Sequence, residues 1–499
     1  MRKSLSAGRE IFSRENSLFL GLLCKFILLV RNKARKNAVV VALSEFQEKM
    51  RRSLSYINID CAVKAERVLP AVCGAFLGAF SGFFVPYLML VIGFALYFLI
   101  GFAYPKKAAF LVFFSIPVLG VFSHPSFALI VLLFPILLGG AVESFARAYG
   151  VAGNSFSFFF GVFSLLLILS GVLSVGGRKS LVDAGFYFVL LIACPIITSR
   201  LTAKDIEDFS DSVVLGALVS SFWGIWQIFN GGLESGWLDV SVFSDISVRI
   251  SSGFDNPNLY AAYLLLAFPF ALENAFFATS PKRRVFCLVS LPLLLVCLVQ
   301  TWSRGAWLGL LVEIALFVAF RLRRAKIYVI AFLLLIALAV CFAAPRVALR
   351  FASIGAGDSS VSYRISAWRG ISEMMRANKA VGIGFGEAAF RSAYPMFSYS
   401  GATAVKHSHS LYLQILVEMG AIGLLSFAFL MLLFLKKCFA LVRKKQGTVI
   451  AGLMAVLGSL VMGVADYIWY SSRVFFLFWA VVLFTCRITD KEIIDEVLP

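Results

Sequence analysis

The chain has three histidines, and two stand together in Lys406-His407-Ser408-His409-Ser410, just before a long apolar run. A neutral imidazole near pH 7 accepts protons, so either ring suits general-base work. Two solvated loop histidines would carry no such duty. A zinc site needs more ligands than this pair, and His124 near another loop is the only other histidine, so no metal is expected. Arginine is the second chemistry-bearing type. Arg304 lies in Thr301-Trp302-Ser303-Arg304-Gly305-Ala306-Trp307, where two apolar runs meet. Two roles fit it equally. It can anchor a helix end at the membrane surface, or it can face the bundle, where small Ser303 and Gly305 allow close packing and an anionic partner is required. Arg249 precedes Gly253-Phe254-Asp255-Asn256-Pro257-Asn258. Asn256 followed by Pro257 reads as a helix cap and first turn. Asn258 falls one residue inside that helix, where capping does not account for it.

These residues must be carried by helices. The 499 residues are 60% hydrophobic and 15% charged, with a mean hydropathy of +0.90. That composition predicts an all-α, polytopic transmembrane helix bundle of about 12–14 spans. A β-barrel would show short alternating segments instead. The net charge of +19 fits basic inward loops and attraction to anionic lipid, and no basic platform for nucleic acid stands out. Nine cysteines are scattered without a CxxC pair and read as small core residues.

Residues 1–67 form a basic N-terminal region, expected to be cytoplasmic or interfacial, with Ser17–Val30 as an interfacial helix too short to span. Residues 68–244 hold the first transmembrane helices, 245–435 the functional core with a large outer loop at 345–410, and 436–499 the last helices and a cytoplasmic tail. Spans are expected near 68–85, 86–104, 108–122, 126–142, 155–175, 181–198, 212–229, 257–279, 284–300, 305–320, 327–344, 410–435, 448–466 and 472–487. Lys/Arg in the short loops places both termini inside. The outer loop then carries eight basic residues against three acids, so something negative is expected there. Within it, Val361, Ile365, Trp368, Ile371 and Met375 predict one apolar helix face on the membrane surface, with Arg369 and Glu373 paired opposite. The alternate glycines Gly382, Gly384 and Gly386 allow tight turns or close approach to a ligand. Glu418 and Glu313 are intramembrane carboxylates, which need partners and read as ties between helices. The loop aromatics interleaved with arginine suit a sugar linked to a phosphate.

Taken in order, Gly253-Phe254-x-Asn256-Pro257-Asn258, Ser303-Arg304-Gly305-Ala306, Arg364-x-x-x-Trp368, Gly382-x-Gly384-x-Gly386, His409-Ser410-x-Tyr412-Leu413-Gln414 and Glu418-x-Gly420-x-x-Gly423 resemble the O-antigen ligase and polymerase superfamily. The resemblance covers roughly 245–435. One departure is Ser410, where the family usually has Asn, so the amide's double donor and acceptor role is lost.

The resemblance implies a glycosyltransferase of the cell (inner) membrane. It would move a glycan from undecaprenyl diphosphate to an acceptor hydroxyl on a glycan or glycolipid at the outer face. It also implies His409 as the catalytic base, with Arg304, Arg364 and Arg249 on the diphosphate. His407, Asn258, Tyr412 and Glu418 would support them. No cofactor or metal is implied, since arginines can neutralise a diphosphate leaving group. The base would ionise in the usual imidazole range. The alternative is a transporter or flippase for an anionic small molecule or lipid-linked sugar. That would require ionisable residues at mid-membrane and repeated halves, and neither is visible.

Overall fold

The computed structural model describes residues 38–55, 86–147, 155–198, 205–230, 249–321, 359–377, 380–399, 405–442 and 446–497. These are helical, with no strand among the described residues. In chain order the helices are α1 (Ala38–Ser55), α2 (Pro86–Ala103), α3 (Pro105–Ser115), α4 (Pro125–Arg147), α5 (Ser155–Val172), α6 (Gly177–Thr198), α7 (Asp205–Phe229), α8 (Pro257–Phe277), α9 (Pro281–Gln300), α10 (Arg304–Arg321), α11 (Ser359–Ala377), α12 (Glu387–Ala393), α13 (Leu411–Val442), α14 (Gly447–Met462) and α15 (Ser472–Val497). Proline opens α2, α3, α4, α8 and α9, where its missing N–H costs nothing and its fixed φ suits the first turn. Among the described residues eight helices are long and apolar enough to cross a membrane, and two shorter apolar helices are present. The protein is a multi-pass membrane protein with a helical bundle. The spans expected at 68–85 and 327–344, and the segment Ser17–Val30, lie outside the described residues. The span expected at 108–122 stops as a helix at Ser115, because Pro117 disfavours helical backbone before it.

The chain divides into two compact units, Met1–Ala109 with Leu133–Phe158, and Phe110–Leu132 with Phe159–Pro499. In the first, α1 packs along α2. There Gln47 Nε2 donates to the Phe102 carbonyl at 2.6 Å, and Arg51 pairs with Glu143.

In the second unit α8 and the Ser472–Thr489 part of α15 are largely apolar and mostly buried, as expected of central helices. Helix α8 packs against α7, α9 and α14, and α10 lies along α14. Gly309 permits that approach, since a β-carbon there would sit 2.6 Å from the Gly458 carbonyl. Glu313 of α10 lies against Gly458, fully buried, and neither of its oxygens has a hydrogen-bond partner, so it is not the helix tie expected of it. Glu418 of α13 is such a tie: its Oε1 accepts from the Gly386 N–H at 3.1 Å and from Gln414 Nε2 at 3.0 Å.

Helix α11 differs from expectation in which face it buries. Ala367, Ile371, Met374 and Met375 are buried, whereas Ile365 is exposed. Small Ala367 and Gly370 let α11 close onto Tyr394 and the turn Tyr394–Phe397, so packing against protein selects the buried face. Its surface ion pair is Arg376 with Glu373, at 3.0 Å.

Candidate active site

Six helix ends converge on one region: the starts of α8, α10, α13 and α15, and the ends of α9 and α14. Helix N-termini present unpaired N–H groups and favour negative charge. A cavity of about 150 Å³ opens there, lined by Arg249, Asn256, Asn258, Leu259, Tyr363, Arg364, His407, His409, Asp466, Tyr467, Ile468 and Tyr470.

The cation side is built from the start of α8. Asn256 caps the helix as expected, its Oδ1 accepting from the Asn258 N–H at 2.8 Å, with Pro257 in the first turn. Asn258, freed from capping, bridges two charged groups. Its Oδ1 accepts from Arg249 Nη2 at 2.9 Å, and its Nδ2 donates to Asp466 Oδ1, also at 2.9 Å. Arg249 is buried and also donates through Nε to the Thr301 carbonyl at 2.8 Å, which ties it to the end of α9. Arg364 of α11 donates through Nη2 to the same Asp466 Oδ1 at 3.2 Å. The chain Arg249–Asn258–Asp466–Arg364 thus joins four separate segments. Burial raises the Asp466 carboxyl above its usual range, while Arg364, Arg249 and Asn258 pull it back down.

The imidazole side is built from the loop before α13. Ser408 is held by three neighbours. Trp368 Nε1 donates to its carbonyl at 2.8 Å, its N–H donates to Gln414 Oε1 at 2.7 Å, and its Oγ donates to the Ser410 carbonyl at 2.7 Å. The Leu411 N–H donates to the Gly463 carbonyl at 2.7 Å, fixing the start of α13 against the end of α14. His409 sits between the two held serines with φ +52°, a left-handed conformation that costs a non-glycine residue about 1–3 kcal/mol. The other non-glycine residues with positive φ, Ser252, Asp255 and Trp302, lie in the loops before α8 and α10. Strain of this kind concentrates where the surroundings over-determine a geometry.

The rings of His407 and His409 lie 4.3 Å apart, centroid to centroid, with Tyr363 5.6 Å from His409 and Tyr470 4.9 Å from His407. Burial, then His407 and Arg364, pushes the His409 imidazole down to about 3. Burial, then Lys406 and Arg364, pushes His407 down to about 4. Both shifts favour the neutral ring, the form a general base needs. Desolvation disfavours the imidazolium, and the nearby cations add to it.

Of the residues expected from sequence, Arg249, Asn258, Arg364, His407 and His409 come together in the cavity. Arg304, Tyr412 and Glu418 do not line it. Arg304 opens α10 beside Gly305, where a β-carbon would lie 3.5 Å from Asp466 Oδ2. Tyr412 Oη donates to the Leu460 carbonyl at 2.9 Å and braces α14. The glycines at 382, 384 and 386 have φ of +79°, +104° and +93°, and they serve chain packing. The Ile383 N–H donates to the Val417 carbonyl at 2.8 Å, beside the α13 kink at Gly420. Ser410, in place of the usual Asn, is buried, and its Oγ reaches the Gly463 carbonyl at 3.5 Å.

Sequence reasoning assigned no part to Tyr467 or Tyr470. The available signal was an acid followed by three aromatics, Asp466-Tyr467-Ile468-Trp469-Tyr470, between two apolar runs on the side assigned to the outer loop.

The O-antigen ligase family matches residues 286–428, which include Arg304, Arg364, His407 and His409 but neither Arg249 and Asn258 nor Asp466. No curated protein matches the chain. That match covers less than a third of the chain, and over those residues it supports the resemblance to the O-antigen ligase superfamily.

Proposed function

We propose that the protein is a membrane glycosyltransferase. It transfers a glycan from undecaprenyl diphosphate to a hydroxyl of a glycan or glycolipid acceptor, at the outer face of the cell membrane. One observation carries the reading: two guanidinium groups, Arg249 and Arg364, line the same small cavity as the imidazole of His409. Among the described residues Arg364 hydrogen-bonds Asp466 through Nη2, and its guanidinium faces the cavity where anionic oxygens would sit. Two cations and one carboxylate leave the cavity positive and attractive to a diphosphate.

In the reaction, the acceptor oxygen attacks the anomeric carbon and the bond from that carbon to the diphosphate oxygen breaks. The bonding electrons leave with the diphosphate, where Arg249 and Arg364 offset the growing charge. The acceptor proton passes to His409. An imidazole held near 3 is a weak base, but a bound diphosphate brings negative charge beside it and favours the imidazolium. Base strength therefore rises when the donor is bound. Arg304 is proposed to act from outside the cavity lining, next to Asp466. Clustering of the charged groups at helix ends, not at mid-helix, supports an enzyme over a transporter.

The test uses purified protein with a lipid-linked glycan and an acceptor, and follows release of the diphosphate lipid with and without EDTA. His409→Ala should lower turnover by about 10²–10⁴, the usual worth of a general base, while donor binding persists. Wild-type turnover in His409→Ala would remove the base from this reading, and loss of activity with EDTA would remove the arginine-only account of the leaving group.

A further inference from the structure

His407 lines the cavity beside His409, yet the transfer reaction assigns it no step. One of its ring nitrogens is already used: Nδ1 accepts the backbone N–H of His409 at 3.2 Å. In a neutral imidazole the accepting nitrogen carries no proton, so the proton sits on Nε2. His407 is therefore fixed in one tautomer, and its ring is flanked by Tyr467 at 5.6 Å and Tyr470 at 4.9 Å between centroids. The same hydrogen bond acts on the strained residue. His409 has φ +52°, which an L residue holds only when its surroundings impose it. The contacts to Ser408 and Leu411 grip its flanks. The grip on the His409 backbone N–H itself comes from the His407 ring.

We propose that His407 is a positioning residue: its Nδ1 holds the backbone of His409 in the left-handed conformation that presents the His409 ring to the cavity. This rests on the reading of His409 as the base. Without the Nδ1 acceptor, the His409 peptide can relax toward ordinary backbone angles and the ring swings away from the acceptor hydroxyl. Arg249 and Arg364 keep their hydrogen bonds to Thr301, Asn258 and Asp466, none of which passes through His407. The loss should therefore fall on turnover and not on donor binding.

Two near-isosteres separate this role from direct action on the substrate. In His407→Asn the amide oxygen takes the place of Nδ1 and can accept the same N–H. In His407→Gln the amide reaches the place of Nε2 and abandons Nδ1. With purified protein and lipid-linked glycan, His407→Ala should lower kcat by about 10²-fold with an unchanged donor KM, and His407→Asn should recover to within about tenfold of wild type, in line with the cost of a small misplacement. His407→Gln should remain as poor as His407→Ala. Rescue by Gln and not Asn would overturn the proposal in favour of an Nε2–H donor to the substrate. A raised donor KM in both His407→Asn and His407→Ala would overturn it in favour of donor contact. Full kcat in His407→Ala alongside an inactive His409→Ala would overturn it and leave the base in place. Full kcat in His409→Ala would instead strike the reading beneath it. Should His407→Ala fail to fold, the Asn and Gln pair still decides.

Discussion

Arg364 and Arg304 carry the same charge in different surroundings. Arg364 lines the cavity and bonds Asp466, whereas Arg304 stands outside the lining at the start of α10. Arg364→Lys keeps the charge and loses the planar fork, so it should still reduce turnover. Arg304→Ala should reduce turnover less than Arg364→Ala, and the reverse order in steady-state kinetics would return Arg304 to the diphosphate. The two histidines support a prediction about stability. Their folded ionisations, about 3 and about 4, lie below the usual imidazole value of 6.5. Below pH 6.5 the unfolded chain takes up protons that the folded chain refuses. Their contribution is complete above 6.5 and is lost as pH falls toward 4 and then 3. Thermal unfolding in detergent should show stability dropping over that window, with a shallower drop in the double variant His407→Asn, His409→Asn. Equal slopes would mean that the rings are not desolvated.

At the scale of elements, the site depends on two helices that hardly bear on it directly. Helices α10 and α14 touch through Gly309 and Gly458 at mid-length, and the chain beyond their neighbouring ends carries Arg304 and Asp466. A methyl group at Gly309 must push against backbone, which does not yield like a flexible side chain. Gly309→Ala should therefore destabilise the protein by about 1–3 kcal/mol. It should also lower turnover, because Asp466 holds both Asn258 and Arg364. A thermal midpoint equal to wild type would contradict so close an approach.

Across the second unit, charged clusters gather at the two ends of the helices, with Glu313 buried at mid-helix between them. One end carries the cavity. Towards the other, Arg283 at the start of α9 bonds Asp211 at 2.8 Å, and Arg321 at the end of α10 pairs with Glu273 of α8. This division suits a bilayer, and the proposed orientation, with basic Lys282-Arg283-Arg284 and Arg321 inward, follows the bias of Lys/Arg toward inward loops. A cysteine at exposed Ser372 on α11 should then react with an impermeant maleimide in intact cells. Among the described residues Cys194, Cys287, Cys297, Cys438 and Cys486 are buried, and the test is made with Cys24, Cys61, Cys73 and Cys341 replaced by Ser. Labelling only after permeabilisation would put the cavity on the cytoplasmic side and end the lipid-diphosphate reading.

The sequence by itself determined the class, several of the long apolar helices and the cap at Asn256-Pro257. Each follows from short-range rules: apolar run length, proline geometry and a side chain reaching two residues ahead. It also pointed to Arg249, Arg364, Asn258 and His409, because a cation, an uncapped amide and an imidazole at helix ends have few other uses. Tertiary structure decided the rest. Asp466 lies 208 residues from the Asn258 it binds, so no local pattern joins them. Three glycines compatible with a ligand loop prove to be the seats of a chain crossing, and Glu418, not Glu313, became the helix tie. A hydrogen bond is worth little until both partners are held, and packing alone decides which pairs are held. The same holds at His409. Its identity is written in the chain, but its backbone angle and the half-buried position of its ring come from Trp368, Gln414, Gly463 and His407 meeting around one loop.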